Sequence, residues 1–209
     1  MLKKKIVVIG AGGHAQSCID VIEAQGKFKI MGLIGTEYEV GKEISGYSVI
    51  GTDEYLPFLA SKITNAIIGL GQIEISDIRR NLFLNLKQYG FNLPVIISPK
   101  ADVSKRAQIG SGTIVMHHAL VSAGVKIGEN CIINSKSNIE HNSIIESHSH
   151  ISTGAIVNGN CLVGSGSFIG SGSVVKQGCS IGINSIIGML TSVRNDIPAN
   201  SIYKGEADK

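Results

Sequence analysis

The second half of the chain repeats its hydrophobic residues with a period of six. Every sixth residue from Val103 to Val193 is Ile or Val, which makes sixteen positions without an insertion. The residue two places before each of them is small in fifteen of the sixteen repeats, Val125 being the exception. Side chains recur every 3.6 residues on a helix face and every two on a strand face, so neither element explains this period. It predicts a chain that turns a corner every six residues and buries one branched and one small side chain per face.

Three such faces close a triangular coil of about 18 residues, and sixteen repeats then give roughly five coils stacked at ~4.7–4.9 Å. The pattern resembles the left-handed parallel β-helix of hexapeptide-repeat proteins, and the handedness is taken from that resemblance. Cys161 and Cys179 are one coil apart and are expected to stack inside as free thiols, since a small buried Cys behaves as a hydrophobe. None of the four cysteines forms a Cys-x-x-Cys motif.

The first 97 residues follow a different pattern, in which short apolar runs alternate with helix-like spacing. The runs at residues 6–9, 30–34 and 66–70 predict buried strands. One helix is predicted to end at Gly26 and another near Gly90. The predicted buried faces of these helices comprise Ala15, Cys18, Ile19 and Ile22 in the first, and Ile75, Ile78, Leu82 and Leu86 in the second. The fold class is therefore α/β plus all-β, with a small Rossmann-like βαβαβ domain at residues 1–97 followed by a β-helix at 98–209.

A glycine-rich turn lies between the first predicted strand and the first predicted helix. Residues 10–15 read Gly-Ala-Gly-Gly-His-Ala and satisfy G-x-G-x-x-A in the strand–helix context that this motif requires. Glycines let the backbone approach a diphosphate, and the helix N-terminus favours negative charge. A tight turn without a ligand is the alternative. No acidic residue stands at residues 33–36, where the second strand of a dinucleotide fold carries one, so a nucleotide-linked substrate is expected instead of NAD.

Composition and charge narrow the class of partner. The chain is 43% hydrophobic and 5% aromatic, with a net charge of +3, which excludes a disordered chain and argues against nucleic acid as the main partner. The apolar run at residues 6–9 is too short for a signal peptide or a membrane span. A cytoplasmic protein without membrane insertion is expected.

Five of the six histidines fall within the six-residue repeats. None of them occupies an inward position, so all five are expected on the outside of the coil or at its corners. These residues are His117, His118, His141, His148 and His150.

Three segments together resemble a known enzyme family. They are the Ile-Gly-Ala-Gly-Gly-His run at 9–14, the repeat array, and the pair Asn-Ile-Glu-His at 138–141 with Ser-His-Ile-Ser-Thr-Gly-Ala at 149–155. They resemble the sialic-acid O-acetyltransferases and bacillosamine-type nucleotide-sugar N-acetyltransferases, over nearly the whole chain. The resemblance implies a homotrimer that uses acetyl-CoA and no metal. It also implies direct acetylation of the 4-amino group of a nucleotide-linked 4-amino-4,6-dideoxy sugar, in surface-glycan biosynthesis.

The resemblance also assigns residues. His141 matches the catalytic base, and the acidic residue that follows the base in family members is Asn142 here, so either Asn142 or Glu140 is expected to orient the ring. His150 matches the histidine that contacts the acetyl group. Acetyl-CoA is expected near Asn134, His150, Gly159, Gly188 and Met189. The nucleotide-sugar is expected near Gly10, Gly12, Gly13, His14, Gly71 and Gln72.

The residues leave several alternative functions open. O- or N-acetylation of a sialic-acid-like sugar uses the same chemistry. A zinc enzyme like the γ-class carbonic anhydrases would use His148 and His150, whose His-x-His spacing can put two ligands on one side of a strand. A non-catalytic scaffold is a third possibility. The residues do not distinguish UDP, dTDP and GDP, nor do they identify the sugar.

Overall fold

The computed structural model describes residues 3–73 and 77–205. The chain divides into two compact units, one formed by residues 3–71 and 77–98 and the other by residues 72–73 and 99–205. In the described part of the chain, no helix has the length and apolar character needed to cross a membrane.

The first unit is an α/β domain built on a five-stranded sheet in the order β3-β4-β2-β1-β5. Strands β4, β2, β1 and β5 are parallel, and β3 pairs antiparallel with β4. The elements in chain order are β1 (Lys4–Ile9), α1 (Gly13–Gln25), β2 (Phe28–Ile34), β3 (Glu43–Ile44), β4 (Tyr47–Gly51), α2 (Leu56–Ala60), β5 (Asn65–Ile68), α3 (Ile78–Gln88) and β6 (Ile96–Ile97), with 3-10 turns at Glu37–Glu39 and Asp53–Tyr55.

The predicted βαβαβ order is confirmed, and α1 ends at Gly26 as expected, with Gly26 at φ 70°. The hairpin of β3 and β4 was not predicted. It closes through Ser45 and Gly46, both of which have positive φ, as in the two-residue turns that favour hairpins.

The face of α3 that packs against the sheet differs from the prediction. Ile78 is 68% exposed, and the buried residues of the helix are Arg79, Leu82, Phe83 and Leu86. The prediction was wrong at Ile78 because the helix begins there and its buried stripe starts one residue later. Ile75 lies outside the described residues.

The second unit is a left-handed β-helix made of two-residue parallel strands, β7 to β23. One face holds Asp102–Val103, Leu120–Val121, Asn138–Ile139, Ile156–Val157, Val174–Val175 and Ser192–Val193; the second holds Gln108–Ile109, Lys126–Ile127, Ile144–Ile145, Leu162–Val163 and Ser180–Ile181; the third holds Ile114–Val115, Ile132–Ile133, His150–Ile151, Phe168–Ile169, Ile186–Ile187 and Ile202–Tyr203. The predicted Ile or Val is the second residue of each strand from β7 to β22. All of them from Val115 to Val193 are buried, so the predicted core is confirmed.

Each corner of the β-helix from residue 112 to residue 190 contains one residue in the left-handed backbone conformation, a position that we call the turn slot. It recurs every six residues from 112 to 190. Ten of the fourteen residues in this slot are Gly or Asn, which adopt the left-handed conformation with the smallest free-energy cost. The residue immediately before it, from 111 to 189, we call the corner slot.

All four cysteines are buried as thiols that form no disulfide, in agreement with the expectation for Cys161 and Cys179. Burial raises the pKa of the Cys18 thiol to about 12, against a smaller opposing effect of the Arg79 charge. Burial also raises the pKa of Cys161. These thiols therefore act as packing groups, since nucleophilic cysteines have depressed pKa values and solvent access.

Candidate functional site

The α/β unit contains a cavity of about 810 Å³ at the carboxyl ends of β1, β2 and β5. Ligands of open parallel sheets bind at this end of the strands. Five of the six residues predicted to bind the nucleotide-sugar line the cavity: Gly10, Gly12, Gly13, His14 and Gly71. Thr36, Glu37, Asp53, Glu54 and Asn81 are among the other lining residues.

The glycine-rich turn is shaped by close packing and by the start of α1. Gly10 has φ 119°, and a Cβ there would lie 2.9 Å from Leu70 Cδ1 and 3.1 Å from the Gly69 carbonyl carbon. Gly12 is the N-cap of α1 and has no side-chain cap bond, so the first N–H groups of the helix are not covered by a capping side chain. A Cβ at Gly12 or Gly13 would meet no atom within 4 Å. The turn therefore offers donors and open space to an anionic group.

A carboxylate does border the end of β2, but it comes from Glu39. Glu39 Oε2 accepts hydrogen bonds from Thr36 N and Thr36 Oγ1, both at 2.8 Å. These bonds lower the pKa of Glu39. A Cβ at Gly35 would lie 2.9 Å from the same oxygen. The Thr-x-x-Glu spacing of a capping box was the signal in the sequence that could have located this carboxylate.

Arg79 is a further residue that the sequence analysis did not identify. It is 2% exposed, and its Nη1 donates to the carbonyl oxygens of Ile68 at 2.9 Å and Leu70 at 2.6 Å. The Arg79 side chain thus connects α3 to the end of β5, where Gly69, Leu70 and Gly71 border the cavity. Its charge also lies close enough to Cys18 to affect the thiol.

His141 lies at a corner of the β-helix, in the turn that follows strand Asn138–Ile139, and its side chain is exposed as expected. Asn142 occupies the turn slot with φ 58°, and its Nδ2 lies 3.4 Å from His141 Nδ1. On the next coil, Gly159 lies against the imidazole edge that carries Cε1 and Nε2. The structure brings together three predicted site residues at this corner.

Glu140 contacts other groups. Its Oε2 accepts a hydrogen bond from Ser122 Oγ at 3.1 Å, and its Oε1 accepts one from Asn138 Nδ2 at 3.0 Å. Both carboxylate oxygens are therefore held by neighbouring side chains. Between the two residues considered for orienting His141, Asn142 has the contact with its ring.

His150 points outward from its strand, as expected. It is nevertheless only 4% exposed, and the Gln72 carbonyl contacts its ring. His150 Nδ1 donates to the Gln72 carbonyl oxygen at 2.6 Å, and its Nε2 lies 3.1 Å from Asn134 Nδ2. Phe168 packs edge-to-face against the ring at 5.2 Å. Gln72 packs on the β-helix and is not among the cavity-lining residues.

The other residues predicted to bind acetyl-CoA lie further along the coils. Gly188 N donates to Tyr203 O at 2.8 Å, and Met189 is exposed in a corner slot. His148 occupies a turn slot at φ 63° with its Nδ1 3.0 Å from Asn130 Nδ2, so the two histidines of His-x-His have different partners. Within residues 3–73 and 77–205, no three His, Cys, Asp or Glu side chains converge as a metal site would require.

Comparisons with known proteins agree with this architecture. Residues 5–86 match the PglD N-terminal domain, and residues 106–141 match the bacterial transferase hexapeptide repeats. No curated protein sequence matches the chain at a significant level.

Solved structures match almost the full length of the chain. The acetyltransferase domain of PglB from Neisseria gonorrhoeae FA1090 is 31% identical, with 96% of each chain covered and a TM-score of 0.86. Its complex with acetyl coenzyme A has a TM-score of 0.88. A histidine-to-asparagine variant of perosamine N-acetyltransferase from Caulobacter crescentus, in complex with CoA and GDP-perosamine, is 27% identical over 95% of this chain and 92% of that one, with a TM-score of 0.89. The chain is therefore an acetyltransferase and belongs to the nucleotide-sugar N-acetyltransferase family of hexapeptide-repeat enzymes.

Proposed function

We propose that the protein transfers the acetyl group of acetyl-CoA to the 4-amino group of a nucleotide-linked 4-amino-4,6-dideoxy sugar. The observation that carries the proposal is the cavity of about 810 Å³ against the glycine-rich turn and the start of α1. A free sugar has no diphosphate for this turn to bind, whereas a nucleotide-linked sugar does. The complexes of two relatives support the proposal, one with acetyl coenzyme A and one with CoA and GDP-perosamine.

The chemistry requires a base for the attacking amine. In the proposed mechanism, the sugar amine attacks the thioester carbonyl directly and forms the amide C–N bond. His141 removes a proton from the nitrogen, the C–S bond breaks, and the leaving CoA thiolate takes up that proton to become the thiol. Imidazole titrates near neutrality and suits this task. The described cysteines are buried, so no exposed thiol is offered to carry the acetyl group, and the proposed transfer is direct.

Asn142 would select the tautomer of His141 that can act as a base. Turning the Asn142 amide by half a turn exchanges its oxygen and nitrogen without changing its shape. With the oxygen facing His141 Nδ1, that nitrogen carries the proton and donates it, and the lone pair lies on Nε2. Nε2 is on the ring edge beside Gly159, so this is the nitrogen we propose as the base.

His150 has a different role in this proposal. Its two ring nitrogens already contact Gln72 and Asn134, so it is suited to holding Asn134 and the segment at Gln72 in place. Acetyl-CoA contacts are proposed for Asn134, Gly159, Gly188 and Met189.

We also infer that the enzyme is a homotrimer, as the family resemblance implies. Ile144 and Leu162 are paired neighbours on one outer face of the β-helix. They are 41% and 36% exposed, which is unusual for adjacent large aliphatic residues unless a partner covers them.

The proposed function is tested by an acetylation assay on UDP-, dTDP- and GDP-linked 4-amino-4,6-dideoxy sugars, with release of CoA thiol as the readout. Acetyl transfer to at least one of them is expected. The matched controls are the same amino sugars without the nucleotide and the corresponding nucleotide-linked 4-hydroxy sugars, neither of which should react appreciably. Acetylation of a sialic-acid-like sugar, with no reaction on the nucleotide-linked amines, would replace this proposal with the alternative acceptor.

A further inference from the structure

We infer that Gly159 is a positioning residue, whose missing side chain leaves the space in which the His141 imidazole lies. A Cβ at Gly159 would be 2.5 Å from His141 Cε1, 2.6 Å from Nε2 and 3.1 Å from Cδ2. Real Cβ atoms essentially never come within 3.0 Å of another heavy atom in this way. Any side chain at position 159 therefore excludes the ring from its present place. The importance of this for catalysis rests on the proposed function, in which His141 is the base.

The backbone does not require glycine at this position. Gly159 is in a corner slot, and it is not among the residues with positive φ. Ala123, His141 and Gln177 occupy the corner slots stacked before and after it on the same edge of the β-helix. Among the fourteen corner slots from 111 to 189, glycine occurs only at 159. The glycine is thus explained by the neighbouring ring and not by the turn.

Little else fixes the orientation of His141. Its side chain is exposed, and within the described residues its ring nitrogen Nδ1 has only a long contact, to Asn142 Nδ2 at 3.4 Å. An added methyl group at 159 is therefore expected to rotate the ring away instead of unfolding the corner. A displacement of about 1 Å at a reacting group can cost about 10²-fold in rate. Gly159 would act on the reaction through the position of Nε2.

The test is a double-mutant cycle that combines Gly159→Ala with His141→Ala. Gln177→Ala serves as the control. Gly159→Ala should lower kcat by about 10- to 100-fold, with the Tm nearly unchanged. In the His141→Ala background, the same substitution should leave the residual kcat within about twofold, because the two residues act as one unit. Gln177→Ala, in the corner slot of the next coil, should behave as the native enzyme.

Native kcat in Gly159→Ala, or an equal loss in both backgrounds, would overturn the inference. The NMR signal of His141 Hε1 provides a readout that does not depend on turnover. It should move in Gly159→Ala and stay in place in Gln177→Ala, and an unmoved signal in Gly159→Ala also contradicts the inference. If His141→Ala itself keeps native turnover, the proposed role of His141 as the base fails, and the NMR result alone decides whether Gly159 positions the ring.

Discussion

At the scale of single residues, the backbone conformation at residue 142 explains why asparagine can follow the predicted base. Residue 142 is a turn slot with φ 58°, and Asn tolerates this conformation better than Glu does. An amide also retains an oxygen that can accept the proton of His141 Nδ1. The cost is the loss of a negative charge beside the imidazolium that forms during the reaction.

Replacing Asn142 by Glu should therefore restore that charge. The acid limb of the kcat/KM profile is expected to move to higher pH, because a nearby carboxylate favours the protonated imidazole. The left-handed turn should cost about 1 kcal/mol of stability, and Lys136 in another turn slot shows that a long side chain fits. Asn160→Glu, in the turn slot one coil further, is the control for added charge and strain. An acid limb that moves equally in both variants, or in neither, would show that residue 142 does not act on His141.

The individual site residues were only partly predictable from the sequence. The exposure of His141 followed from its place in the six-residue repeat. The burial of His150 did not, because the covering residue Gln72 is 78 positions away in the chain. Glu39 was not predicted for a related reason, since its carboxylate belongs to the turn that follows β2 and folds back to the end of that strand.

At the scale of elements, the β-helix was predictable and the details of the α/β unit were less so. The same six-residue pattern, an Ile or Val with a small residue two places before it, predicts each β-helix strand. Every repeat of this pattern adds support to the prediction. In the α/β unit each element depends on a few residues. The buried face of α3 could not be read from apolar spacing, because the buried Arg79 is polar and interrupts the apolar pattern. The β3–β4 hairpin is too short to show an alternation of apolar and polar residues.

The inward column of Ile and Val should account for most of the stability of the β-helix. Ile145 and Ile144 are adjacent in one strand, yet Ile145 is fully buried and Ile144 is 41% exposed. Ile145→Ala should lower the free energy of unfolding by about 2–5 kcal/mol, the usual cost of a buried Ile-to-Ala change. Denaturant unfolding measures it, with Ile144→Ala as the control that should lose clearly less. Equal losses at the two positions would contradict the inward assignment of the column.

At the scale of the whole molecule, the aliphatic and aromatic-poor composition reflects the β-helix. One Ile or Val and one small residue per repeat leave no place inside for a large ring, and the chain contains no Trp. The α/β unit adds the glycine-rich cavity. Each unit thus contributes a separate part of the proposed chemistry.

The oligomeric state is a property of the whole molecule. Sedimentation should give about three times the 22.0 kDa mass of the chain, because the exposed Ile144 and Leu162 require cover in solution. Replacing Leu162 by Glu should shift the particle towards smaller species. A native protein that sediments at the mass of one chain would rule out the trimer.

In the proposed mechanism, His141 is the base in acetyl transfer to a nucleotide-linked amine. The most direct measurement is the kcat of His141→Ala on the best acceptor from the nucleotide-sugar panel. The expected result is a loss of about 10²–10⁴-fold, the usual size of a general-base contribution, with acetyl-CoA affinity in calorimetry nearly unchanged. Turnover close to that of the native enzyme would contradict the account.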